Sequence, residues 1–187
     1  MASSTREKIL AVSLRLFNEQ GYRNVTMRAI ADALSISVGN LTYHFAKKQD
    51  IVAALMDDVF AQMTATADMP AASLAQIDSL FSMMLDTLER CAFFFLDNEL
   101  KQENGPLHLA HHTHLRARLI DGLNALAEQG FFIESFTPEV CRTLIQILLM
   151  SHMTWLKQTV RGTDKNAMSK TEFLRAHWPV SYTHLTL

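Results

Sequence analysis

The sequence predicts an all-helical fold. Three observations carry that expectation. Apolar residues recur at spacings of three, four and seven along most of the chain, strand-like alternation is scarce, and 187 residues include only six glycines and four prolines. Apolar residues make up 49% and charged residues 19%, enough to bury a core and unlike a disordered chain.

The first helix is expected from Thr5 to about Gln20, with Ile9, Val12, Leu16 and Phe17 inward and Gly21 ending it. Thr26 suits an N-cap, and Met27, Ile30, Ala31 and Leu34 make a second stripe only two turns long. Residues Ser35 to Ser37 interrupt the pattern. Ser37 then caps a third short helix, Val38 to Phe45, whose inward residues are expected to be Val38, Leu41 and Phe45. That register turns Asn40, Tyr43 and His44 outward, with Thr42 flanking. Two short helices across a tight turn, the second presenting polar groups, form a helix-turn-helix layout.

A longer helix follows from Lys47–Gln49 to about Thr66, then a break from Ala67 to Ser73 with Pro70 inside it and a new cap at Ser73. The next helix carries a broad apolar face of Ile77, Leu80, Phe81, Met84, Leu85, Leu88 and Phe95. Gln102 to Pro106 reads as a turn, and a helix from Leu107 to about Gln129 closes at Gly130. Thr137 as N-cap, Pro138 at the first helical position and Glu139 in the first turn restart the helix pattern. Of the seventeen residues from Val140 to Leu156, eleven are apolar and spread around most of the circumference. Such a helix needs cover on two sides, and a second copy of the chain across a two-fold axis is the simplest second cover. A last helix is expected from Ala167 to Ala176, with Pro179 stopping it.

These readings give three segments: a three-helix, helix-turn-helix DNA-binding domain over residues 1–47, a larger helical dimerisation domain over 48–178, and a disordered or non-native tail over 179–187. Charge supports the first division. Residues 1–50 hold seven Lys/Arg against four Asp/Glu, whereas the remainder holds ten against fifteen. A basic head on an acidic body points to a polyanion partner for the head alone. It also argues against a DNA-bending protein, which needs positive charge over most of its length.

Cys91 and Cys141 sit in apolar helical surroundings and read as packed thiols of a cytoplasmic protein. No secretory leader is visible at the N-terminus. The longest charge-free apolar run, Thr143 to Leu156, falls short of the roughly 20 residues of a spanning helix, so no membrane partner is expected. Nucleophile-elbow, zinc-protease, phosphate-loop and C-x-x-C motifs are all missing, so no enzyme and no cofactor are expected. His108, His111 and His112 share one helical face at metal-binding spacing. With no carboxylate or cysteine beside them and Arg116 and Arg118 following, they read as a solvated face, not a metal site.

The run "ILAVSLRLFNEQGYRNVTMRAIADALSISVGNLTYHF", continued by "KKQDI", resembles the TetR family of bacterial transcriptional regulators. The first helix ends in LF and GY, a threonine precedes the second, IA and A follow within it, and a G-x-L segment leads to HF and a lysine. The resemblance covers about a quarter of the chain. The family often has tyrosine where this chain has Thr42, which shortens any phosphate contact there. It often has glycine where this chain has Ser35, which implies a strained turn. The family further implies a small-molecule pocket in the body, which makes residues 48–178 an effector-binding as well as a dimerisation domain, and implies that its occupancy shifts the spacing of two heads.

The expected DNA-binding residues are Thr26, Arg28, Ser37, Val38, Gly39, Asn40, Thr42, Tyr43, His44 and Lys48. Gly39 lets the backbone approach the duplex. Asn40 can pair with adenine in the major groove. Tyr43 offers a phenol to phosphate and a ring to a thymine methyl, and His44 a donor to phosphate or a brace for the turn. Thr26 lies at a helix N-terminus, and Arg28 and Lys48 supply positive charge. Six or so neutralised phosphates per homodimer predict a log–log salt slope of about −5. The large, adaptable side chains expected to line an effector pocket are Met56, Phe60, Met63, Phe81, Met84, Phe94 and Trp155, suited to an apolar or aromatic ligand. The expected function is a homodimeric, ligand-released repressor paired through residues 139–160. An activator with the same head, or a helical enzyme, is the alternative.

Overall fold

The computed structural model describes residues 4–67, 73–103, 105–130, 132, 137–160 and 167–183. It is all-helical, and no strand occurs among the described residues. The chain divides into two compact units, Met1–Ala61 and Gln62–Leu187. The division falls inside a helix, beyond residue 47, so the first turns of that helix belong with the head.

In the first unit α1 spans Thr5–Gln20. Ser4 and Glu7 close a reciprocal capping box: Glu7 N–H donates to Ser4 Oγ (3.2 Å) and Ser4 N–H to the Glu7 carboxylate (3.0 Å). Gly21 ends the helix at φ +80°, donating to the Phe17 carbonyl. A 3-10 turn over Tyr22–Asn24, which the sequence pattern does not announce, leads to α2 (Met27–Ala33). As expected, the Thr26 hydroxyl caps α2 by accepting from Ala29 N–H (3.1 Å).

The turn after α2 is a Schellman motif. Ile36 N–H donates to Ala31 O (3.1 Å) and Ser35 N–H to Asp32 O (3.0 Å), with Ser35 in the left-handed region at φ +56°. Next comes α3 (Val38–His44), capped by Ser37, which accepts from Asn40 N–H (3.1 Å). Ile9, Phe17, Ile30, Ala31 and Leu41 are fully buried in this unit, and Phe45 is nearly so. α4 runs Lys48–Ala67, and Asp50 accepts from Lys47 N–H (3.0 Å) at its start.

In the second unit Ser73 caps α5 (Leu74–Arg90). The single helix expected to run on to Phe95 is broken at Cys91. α6 is Ala92–Leu96 and α7 is Asn98–Glu103, with Asp97 capping α7 through the N–H groups of Glu99 and Leu100. The reason is packing: Ala92, Phe93, Phe94 and Phe95 are all buried. Four consecutive residues cannot share one face of a continuing amphipathic helix. α8 is Gly105–Glu128 and α9 is Pro138–Val160, so of the expected turn at Gln102–Pro106 the residues 102, 103, 105 and 106 are helical, and residue 104 lies outside the described residues. Gly130 follows α8 at φ +79°, and Thr137 caps α9 through Val140 N–H (3.3 Å).

The core of this unit joins Leu80, Phe81 and Met84 of α5, Leu115, Leu119, Leu123 and Leu126 of α8, and Cys141, Ile145, Leu148 and Leu149 of α9. α10 is Lys170–Thr183. Pro179 therefore does not stop it: a proline removes one backbone donor, while the turns on either side keep their bonds. Phe173 sets α10 on α9, its ring 5.3 Å from His152 and 5.4 Å from Trp155. The Trp155 indole donates to Met168 O (2.9 Å), and the Lys170 ammonium pairs with Asp86 and with Glu89 (3.4 Å).

Cys91 and Cys141 are free, fully buried thiols, and burial pushes both up to about 11. No helix among the described residues is long and apolar enough to cross a membrane.

Candidate nucleic-acid interface

Short helices make the candidate surface because their caps, not their length, define them. Ser37 holds the start of α3 and the buried Leu41 its register. Asn40 and Tyr43 therefore face solvent, Tyr43 at 86% exposure. Thr26, Arg28, Ser37, Gly39 and Thr42 are exposed as well. The Thr42 hydroxyl donates to the Gly39 carbonyl (3.1 Å). His44 is half-buried, its ring edge-on to Tyr43 at 5.3 Å. Arg28 is 84% exposed and makes only a long surface pair with Asp32 (3.8 Å).

Gly39 is informative for what it does not need. A Cβ added there would meet no atom nearer than Ser37 Oγ at 3.8 Å, an ordinary contact. Neither packing nor backbone conformation within the chain asks for glycine at this exposed helical position. A close approach from outside would.

Two expected members sit differently. Val38, expected inward, is 41% exposed. At the first position of the helix its Cβ tilts towards the N-terminus, past the packed turn. Lys48, expected to meet phosphate, is turned inward. Its ammonium donates to Tyr22 O (2.6 Å) and Val25 O (2.7 Å) and lies 4.1 Å over the Tyr22 ring. Burial pushes its pKa down. Sequence reasoning passed over Arg6, whose guanidinium stacks 5.2 Å over the Phe45 ring at the end of α3. The signal was present: a cation in the first turn of a helix, where the helix dipole favours acids.

The residues expected to line an effector pocket are packed as core. Phe81 and Met84 belong to the α5–α8–α9 cluster, with Met63 packed against it. Phe94 is fully buried and edge-on to Phe95 at 5.4 Å, and Trp155 is held by Met168 and Phe173. Met56 and Phe60 are buried residues of α4 within the first compact unit. An open depression of about 670 Å³ lies elsewhere, lined by Ala167, Met168, Glu172, Arg175 and Ala176. The side chains of His108, His111 and His112 lie outside the described ones.

Capped short helices, a tight turn and an outward polar face define a helix-turn-helix regulator with an all-helical body. Residues 9–55 match the profile of the bacterial regulatory proteins of the tetR family. The HTH-type transcriptional repressor KstR2 of Mycobacterium tuberculosis is 28% identical over 165 residues, spanning 83% of this chain and 82% of its own. The solved structure of ketosteroid transcriptional regulator KstR2 from that organism superposes with a TM-score of 0.72 at 20% identity, covering 100% of this chain and 97% of the other. A TetR-family transcriptional regulator from Marinobacter aquaeolei VT8 superposes with a TM-score of 0.73 at 24% identity over 94% and 98% of the two chains. The N-terminal domain is thus that of the tetR family of bacterial regulatory proteins, and the chain as a whole is similar to TetR-family transcriptional regulators.

Proposed function

We propose that this chain is a repressor that binds a palindromic operator as a homodimer through α2 and α3 and is released by a small apolar molecule. The observation that carries the reading is α3 itself, with Asn40 and Tyr43 outward around a glycine that the chain's own packing does not require. Asn40 can read adenine, Tyr43 a phosphate or a thymine methyl, and Thr26, Arg28 and Ser37 the phosphate backbone. Thr42 and Val38 flank them, and His44 braces Tyr43.

Pairing is supported by a stripe on α9. Val140, Ile147 and Met150 are 40%, 57% and 62% exposed and follow one face, opposite buried Cys141, Ile145 and Leu148. In a dimer paired by a two-fold axis, two α3 helices reading a palindrome have to lie about 34 Å apart, or a near multiple, to meet successive major grooves. The effector class rests on the methionine- and phenylalanine-rich body and on the likeness to KstR2, a ketosteroid regulator, so polycyclic ketones lead a release screen.

Selecting bound duplexes from a random pool tests the reading. The expected product is an inverted repeat bound with a salt slope of about −5. Enrichment of no sequence at low salt would refute it.

A further inference from the structure

Lys48 is an expected phosphate contact whose charge the fold has turned inward. Its ammonium has three donors. The Tyr22 and Val25 carbonyls take two at 2.6 and 2.7 Å, and the Tyr22 ring lies beneath at 4.1 Å. Both carbonyls belong to the connection between α1 and α2, outside the α-helical ladder, where each needs a donor. Val25 is buried and directly precedes Thr26, whose hydroxyl caps α2 through Ala29 N–H. The other end of the strap is fixed too, because Asp50 accepts from Lys47 N–H and closes the first turn of α4.

We propose that Lys48 is a positioning residue: it straps the first turn of α4 to the Tyr22–Val25 connection and holds the N-terminal end of α2, with Thr26 and Arg28, in the orientation that meets DNA. This rests on the DNA-binding reading above. A phosphate arriving at Lys48 would have to displace a carbonyl or the ring. Arg28, largely in solvent, has only its long surface pair with Asp32 to give up.

The test compares wild type, Lys48→Met, Lys48→Arg and Arg28→Gln on a selected duplex across a salt series, with amide exchange measured on the free proteins. Lys48→Met is expected to bind roughly tenfold more weakly at every salt concentration, the loss typical of a charge-assisted hydrogen-bond pair. Its log–log slope is expected to stay unchanged, whereas Arg28→Gln lowers the slope by about 1 per head. Exchange at Ala29 N–H is expected to quicken in Lys48→Met. Lys48→Arg keeps the charge but not the compact ammonium, so it is expected to recover little affinity, and it carries the test should Lys48→Met fail to fold. A slope lowered by about 1 per head in Lys48→Met, full recovery by arginine, or unchanged exchange would each overturn the strap. Failure of wild type to bind any duplex would remove the DNA reading and this inference with it.

Discussion

At Gly39 and Ser35 the chain departs in opposite directions from what local stability asks. Gly39 occupies an ordinary helical position with room for a methyl group. Gly39→Ala is therefore expected to stabilise the fold by about 0.5–1 kcal/mol while weakening duplex binding at least tenfold, read by denaturant melts and anisotropy titrations. Loss of both stability and binding would mean that the glycine serves the fold. Ser35 holds φ +56° at a position that glycine fills without a Cβ penalty. Ser35→Gly is expected to raise stability by about 1 kcal/mol with binding unchanged, and a lower melting temperature would show that the serine makes a compensating contact. The outward face of α3 was legible in the sequence because the Ser37 cap and the Leu41–Phe45 spacing are local. Lys48 was not: its carbonyl partners lie 23 and 26 residues away, and a lysine at the start of a long helix looks the same whether it faces solvent or the chain.

Element boundaries follow the same logic. Thr5–Gln20, the caps at Thr26, Ser37, Ser73 and Thr137, and the stop at Gly130 all announce themselves within a turn of sequence. The break at Cys91 does not, because no glycine or proline marks it; only the joint burial of Phe93, Phe94 and Phe95 does. How α10 is held is likewise a matter of packing. Lys170 bridges Asp86 and Glu89, yet burial pushes Lys170 down and Glu89 up, each towards its neutral form. Both carboxylates remain partly in solvent. Lys170→Met is therefore expected to change stability by less than about 1 kcal/mol. Phe173→Ala, which empties the space between His152 and Trp155, is expected to cost about 3 kcal/mol. Denaturant melts of the two variants check the order, and the reverse order would make the ion cluster the true anchor.

For the whole molecule, association and alkaline stability are the measurable consequences. Ile147→Glu places a charge in the exposed α9 stripe, and sedimentation is expected to show a folded monomer that no longer binds an inverted repeat. A dimer that survives would move the pairing surface elsewhere. The buried thiols give the chain a distinct high-pH limb. Unfolded thiols lose their protons near 9.0, while Cys91 and Cys141 hold theirs to about 11. Between those values the unfolded chain is the more deprotonated, so stability falls as pH rises, and Cys→Ala variants are expected to flatten that fall in melts from pH 8 to 11.

The same sealed sulfurs bear on what kind of signal the regulator can read. Peroxide and electrophile sensing both begin with an accessible thiolate, and neither sulfur offers one while the fold is intact. Oxidative stress thus has no chemical handle on this protein through Cys91 or Cys141 while both stay sealed in the core.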